Sequence, residues 1–455
     1  MARKTSDRTA SNPPATASSA PVSRRRMLAR TVAAVGGGAA TLLGAERAIA
    51  GQGSTSAPQT PSGAAQRFRA FVRFGTGASV QELKLLPLGP LQVVVRTEAA
   101  QICYTTTAPA LATTNVAQAV IPGHGGVGTV VEIGSRVKRV QVGDRVIVAG
   151  SSQCGECYHC LHGRADRCLL ANNGGGDPNA PIAEMRDGTK VTGFRGGCAE
   201  LMVAFESYCV PVFTKVSSTE LAILHDVGMV GLAATMNVAP VEPGSDVVVL
   251  GCGPLGLSAV QGARIKGAAR IVAVEPIRMR RDLALKVGAT VALDPNVEGG
   301  NLVQKIQSIC SPPTDRRLAG GAYRGPEFVI EAVGGDLFTP KVEVGPDPTG
   351  ILSLQQAWQL CSPAGHLVTT GVGHPAAATI SFPANQWANG AKNHHPGNVA
   401  GAQSKRDLPR FVKLIEAGLF DAKSLATAIF PLERAREAFE AAAYRTTVAA
   451  VIVVT

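Results

Sequence analysis

Residues 241–276 read VEPGSDVVVLGCGPLGLSAVQGARIKGAARIVAVEP. The apolar, β-branched run DVVVL ends in Gly251, Gly253 and Gly256, spaced G-x-G-x-x-G. A helical stretch and a second apolar run, RIVAV, follow, and Glu275 stands nineteen residues past the last glycine. The spacing alone is a weak signal, because Gly-rich turns are common; its strand–turn–helix–strand setting gives it weight. The first glycine permits the tight turn, the second admits a pyrophosphate to the backbone, and the third lets the helix pack on the strand. The helix N-terminus then faces the phosphates. Glu275 suits the ribose hydroxyls of NAD and repels the 2′-phosphate of NADP, while Arg278, Arg280 and Arg281 soften that preference. NAD is therefore the expected cofactor, NADP the less favoured one, with the three glycines, Glu275 and Arg280 as its binding residues.

Working outward, the alternation continues in EFVIEAVGG, LSLQQAWQLCSPAG and HLVTTGVG, as parallel βαβ units require. Leu408, Phe411, Val412 and Ile415 fall at helical spacing, and the chain closes in an apolar strand, AAVIVV. Just upstream, LAILHDVGMVGLAATMNVA reads as one helix. Before it, from Arg67 to Val212, short β-branched runs (FRAFVRF, LQVVVRT, GVGTVVEIG, DRVIVAG) alternate with Gly and Pro and show no helical period. The fold class is α/β: a β-rich domain joined to a doubly wound parallel sheet. We place the β-rich domain at 66–240, the dinucleotide-binding domain at 241–375 and a return to the first domain at 376–455.

At 455 residues, with 45% hydrophobic and 17% charged side chains, two domains with sizeable cores are expected. The net charge of +11 does not point to nucleic acid. Residues 1–50 hold eight Lys/Arg against Asp7 and Glu46, and the rest of the chain has no basic runs interleaved with aromatics. That first segment has the parts of a signal peptide in order. Arg24, Arg25 and Arg26 precede a short Gly/Ala-rich apolar run, and Ala48-Ile49-Ala50 makes a small-x-small close. SRRRML resembles the twin-arginine export signal. The run is too short and polar for a stable membrane anchor. Residues 51–65 are a Gly/Ser/Pro linker. Export to the periplasm or beyond is expected, through transient engagement of the export machinery, with a cytoplasmic location if the leader is not used.

Cys154, Cys157, Cys160 and Cys168 lie in CGECYHCLHGRADRC, a C-x2-C-x2-C-x7-C run. Four sulfurs on one tight loop suit tetrahedral zinc, whereas disulfides between such near neighbours are strained. A structural zinc is expected there. A protein loaded in the cytoplasm and exported already folded keeps those thiols protected.

Taken together, these features resemble the zinc-dependent medium-chain alcohol dehydrogenases, from Arg67 to Thr455. GHGGVGTVVEIGSRVKRVQVGDRV is similar to the family signature, and the four-cysteine run matches its zinc lobe in spacing. The resemblance implies that the β-rich domain is GroES-like and the second domain Rossmann-type. It also implies a catalytic zinc held by Cys103, His124 and Asp226, two zinc ions per chain, and Thr105 as the group that takes the substrate's proton. Spacing does not yield this trio. The implied activity is hydride transfer between an alcohol, or an aldehyde or ketone, and NAD, in a homodimer or homotetramer. The chain departs from the family in three places. Gly125 follows His124 where relatives carry Glu, Tyr104 and Ala108 replace a basic residue and a relay His, and NGAKNHHPGNVAG is unusually polar. His225, His394 and His395 read as ordinary core or surface histidines. The alternatives are an enone or quinone reductase of the same fold without catalytic zinc, and an exported, non-catalytic nucleotide- or zinc-binding protein.

Overall fold

Strand Asp246–Leu250 is buried along its whole length, as a strand covered on both faces must be. In the computed structural model, Val247 and Val249 pack with Leu257 and Ala263 of helix Pro254–Ile265. Val248 and Leu250 pack on the other face with Leu302, Ile306 and Leu360. Six parallel strands make this sheet, in the order Val291–Leu293, Arg270–Val274, Asp246–Leu250, Phe328–Glu331, His366–Thr369 and Asn393–Pro396. In chain order that is 3-2-1-4-5-6. The winding reverses between Asp246–Leu250 and Phe328–Glu331, where open α/β sheets bind their ligands.

The structure describes residues 66–169, 177–310, 325–397 and 399–454. The leader and linker, residues 1–65, lie outside them. The β-rich half contains a closed barrel of Arg67–Gly75, Gly77–Leu85, Ala183–Glu184, Lys190–Thr192 and Val116–Val120. Beside it stands a seven-stranded sheet in which Gln92–Gln101 pairs with Gly126–Ile133, Leu201–Phe205 and the C-terminal strand Ala450–Val453. The chain end thus returns to the first domain, giving a GroES-like and Rossmann-type α/β pair. The return comes later than position 376, because Asn393–Pro396 still pairs with His366–Thr369. Its sequence, NHHP, is polar since it forms the sheet's edge, so it did not read as a strand.

The expected single helix over 221–239 is broken. Ser218–Leu224, capped by the Ser217 side chain accepting from the Glu220 N–H, ends at His225. Val227–Ala233 restarts after a bend of 53°. Asp226, at φ −141° and ψ −87°, has left helical geometry and forms the joint. Beyond the joint the second helix lies against Pro254–Ile265 with almost no side chain between them. A Cβ at Gly231 would stand 2.2 Å from the Leu255 carbonyl oxygen, and one at Gly262 2.2 Å from Thr235 Oγ1.

Candidate active site

A cleft of about 1380 Å³, its open mouth included, runs along the winding reversal. Gly251, Gly253, Glu275 and Arg280 line one part of it, Cys103 and Thr105 another. At the turn, Gly251 holds φ +86°, and a Cβ on Gly256 would lie 1.8 Å from the Gly251 oxygen, so the third position admits only glycine. A Cβ on Gly253, by contrast, would meet nothing nearer than Arg280 at 3.8 Å. That open surface at a helix N-terminus fits a phosphate. Glu275 accepts from the N–H groups of Cys252 at 2.6 Å and Ile277 at 3.1 Å, which fixes its carboxylate at the end of the second strand. Arg280 donates to the Thr447 oxygen at 3.1 Å, and its buried Nε has no protein partner. Burial lowers the Arg280 guanidinium while Glu275 pulls it back up.

Three separate elements deliver Cys103, His124 and Asp226. Cys103 precedes the short turn Tyr104–Thr106, His124 sits ahead of strand Gly126–Ile133, and Asp226 occupies the helix joint. Their ligand atoms lie within 4.8 Å of one another. His124 Nε2 is 3.6 Å from Asp226 Oδ2, and Cys103 Sγ is 3.1 Å from Thr105 Oγ1. Burial pushes the Cys103 thiol well above its ordinary range, and the Asp226 charge adds to that. Burial also works against the Asp226 carboxylate, but His124, His225, Cys103 and Arg195 outweigh it and hold the group below its usual value. One thiol, one imidazole and one carboxylate facing a common point form a donor set that fits zinc with an open fourth position.

The four lobe cysteines fit zinc in a different way. Their sulfurs also lie within 4.8 Å of one another, with Cys154–Cys160 at 3.8 Å and Cys157–Cys168 at 4.0 Å. A tetrahedron with metal–sulfur bonds near 2.3 Å has an edge of about 3.8 Å. All four thiols are free of disulfides. The N–H groups of Glu156 and Cys157 point at Cys154 Sγ, and that of Cys154 at Cys168 Sγ.

The departures from the family pattern acquire physical reasons. Gly125 sits at φ +146°, and a Cβ there would lie 2.3 Å from the Val148 oxygen and 2.5 Å from Cδ2 of His225. The space beside His124 is thus filled from another element by His225. Fully buried, His225 donates from Nδ1 to the Ala222 oxygen at 2.6 Å, and burial depresses it to about 4, so the ring is neutral. Tyr104 Oη accepts from the N–H groups of Leu337 at 2.8 Å and Phe338 at 3.3 Å, and from Arg445 at 3.3 Å. Arg445 in turn pairs with Asp336. His394 and His395 lie on the edge strand, bonded to Thr369 at 3.0 Å and His366 at 2.9 Å, remote in sequence from either sulfur site. Two site residues escaped the sequence reading. Arg445 lines the cleft, and Arg195 lies behind the trio with its guanidinium on the backbone around His124. No spacing rule marks either one.

Comparison with known proteins agrees with this architecture. The family described as "Alcohol dehydrogenase GroES-like domain" matches residues 89–214, and "Zinc-binding dehydrogenase" matches residues 254–416. Among curated relatives, S-(hydroxymethyl)glutathione dehydrogenases from Escherichia coli O139:H28 and Shigella sonnei are 34% identical over 187 residues, 39% of this chain and 49% of theirs. The match therefore spans about half the length of those relatives. Benzyl alcohol dehydrogenase from Acinetobacter calcoaceticus superposes with a TM-score of 0.71 at 23% identity, covering 86% of this chain and 100% of that one. Alcohol dehydrogenase TADH from Thermus sp. ATN1 gives 0.65 at 22%, covering 85% and 100%. These structural likenesses speak for the fold alone.

Proposed function

We propose that this chain, which its two domain matches place in the zinc-dependent medium-chain dehydrogenase/reductase family, interconverts a small alcohol and its aldehyde or ketone using NAD. The observation that carries the reading is one cleft lined by both the Gly-rich turn and Cys103 with its neighbour Thr105. Cys103, His124 and Asp226 would hold a catalytic zinc, and Cys154, Cys157, Cys160 and Cys168 a structural one. When bound, zinc supplies a Lewis acid for the substrate oxygen and NAD a hydride acceptor. Gly253 and the start of helix Pro254–Ile265 receive the phosphates, and Glu275 favours the unphosphorylated ribose of NAD. Thr105 Oγ1, exposed and next to Cys103, takes the proton from the substrate hydroxyl and hands it to water directly. Such a route needs no relay residue at Ala108. For residues 1–50 we propose export by the twin-arginine route, which N-terminal sequencing of exported protein beginning at Gly51 would support.

The test is zinc content and released nucleotide on the same purified sample, wild type against Cys103→Ala. Two zinc per chain falling to one, with nucleotide binding kept, is the expected result. One zinc in both proteins would leave only the lobe occupied and would rule out a zinc-assisted dehydrogenase in favour of a reductase or a binding protein.

A further inference from the structure

Arg195 is a buried-end cation that the mechanism above does not use. It lies on the loop between strands Lys190–Thr192 and Leu201–Phe205, at φ +62°, a left-handed backbone that a side-chain-bearing residue adopts only when its surroundings demand it. The loop runs backbone to backbone along the His124 segment: a Cβ on Gly197 would stand 2.2 Å from the Gly125 oxygen. From this position Nη1 donates to the carbonyl oxygens of Gly150 at 2.5 Å, Ala149 at 3.3 Å and His124 at 3.4 Å. The guanidinium carbon lies 4.2 Å from the centre of the Tyr208 ring, and Nε is buried without a partner. No carboxylate is paired with Arg195 among the described residues. Asp226 is the one carboxylate whose charge acts on it, and the attraction is mutual.

We propose that Arg195 is a positioning residue for the Cys103–His124–Asp226 pocket and that its charge makes this pocket select a small anion beside its metal ion. The inference rests on the zinc-site reading above. A thiolate and a carboxylate balance a divalent ion, and His124 brings no charge in its neutral form. Arg195 then leaves the pocket with a surplus of one positive charge, held away from bulk water where charges act strongly. The Gly150 contact couples that charge to the ligand geometry, since a Cβ on Gly150 would stand 3.0 Å from Asp226 Oδ1. Gly125 completes the arrangement, because its bare backbone leaves no acidic side chain beside His124 to cancel the charge.

The test uses the purified full-length chain loaded with cobalt(II), whose visible bands report the open site. The closed four-cysteine lobe gives its own sulfur-to-metal bands, which serve as the folding control. Azide is titrated as the probe into wild type, Arg195→Gln and Arg195→Lys. Azide affinity falling about tenfold in Arg195→Gln and returning to within about threefold of wild type in Arg195→Lys is the expected result. Unchanged affinity in Arg195→Gln, or equal loss in both variants, would overturn the proposal, the latter because it would show shape rather than charge at work. Should Arg195→Gln lose its lobe bands, wild type decides by itself: the ratio of azide to neutral imidazole affinity must exceed the same ratio for aqueous cobalt(II) by about tenfold, and an unchanged ratio refutes the idea. A wild type that takes up cobalt only at the lobe sinks the dehydrogenase reading and this inference together, and the metal count shows that before any azide is added.

Discussion

The lobe draws its four sulfurs from residues 154–168, whereas Cys103, His124 and Asp226 arrive on three elements from two ends of the β-rich half. In the lobe, neighbours in sequence are neighbours in space, and backbone N–H groups of the same loop support the sulfurs. The trio has such support only at Cys103, whose sulfur meets Thr105 of its own loop, and nothing local joins the three ligands. It depends on a helix joint for Asp226, on His225 filling the space beside Gly125, and on Arg195 holding the backbone behind His124. The lesson is that a short-range ligand set carries its own fold, while a long-range set reports on the packing of everything around it.

The largest effect should come from the lobe. Cys157→Ser removes one ligand from a site that organises its own loop, and we expect a stability loss of about 4 kcal/mol. One equivalent of zinc should go with it, read by thermal unfolding and metal analysis. If the trio's zinc left instead, the two sites would not be independent and the comparison would fail. Gly125→Glu should cost about 3 kcal/mol through backbone strain and overlap with His225. Pairing it with His225→Gly should recover part of the loss, and no recovery would mean that His225 does not occupy the contested space.

A pH effect of similar size sharpens the contrast from the trio's side. His225 titrates near 6.5 when unfolded and near 4 when folded, so between those values the unfolded chain binds a proton that the native chain refuses. Its contribution to stability is intact above about pH 6.5 and falls by about 3 kcal/mol as pH drops to 4. The fall should be shallower in His225→Phe, and matching profiles in the two proteins would refute it. The smallest expected effect is that of Tyr104→Phe. Losing the hydroxyl that bonds Leu337 and Phe338 should raise KM for NAD about threefold, with the lobe's zinc untouched. A change in zinc content would place Tyr104 in the wrong group.

Much of this was legible in the sequence, for reasons that differ by residue. The Gly251–Gly256 turn was readable because Gly251 and Gly256 answer local steric demands while Gly253 leaves the helix N-terminus uncovered, and the lobe because its spacing equals its geometry. Cys103, His124 and Asp226 were reachable only through family resemblance, since no local period links them. Asn393–Pro396 hid because an edge strand tolerates polar residues on both faces. The break at His225–Asp226 hid because apolar residues at helical spacing continue across it. Arg195 gave no signal at all: an arginine among glycines looks like any surface loop until its guanidinium is seen pointing inward.

The glycine seam between Val227–Ala233 and Pro254–Ile265 bears on how the cleft works. Asp226 stands at the head of the first helix and the Gly-rich turn at the head of the second, and with their backbones nearly touching the two helices form a single stiff bar. Asp226 also lies within 4.8 Å of the Cys103 and His124 ligand atoms, so a metal ion shared by the three would tie the wall that carries Cys103 and Thr105 to that bar and fix its spacing to the Gly-rich turn.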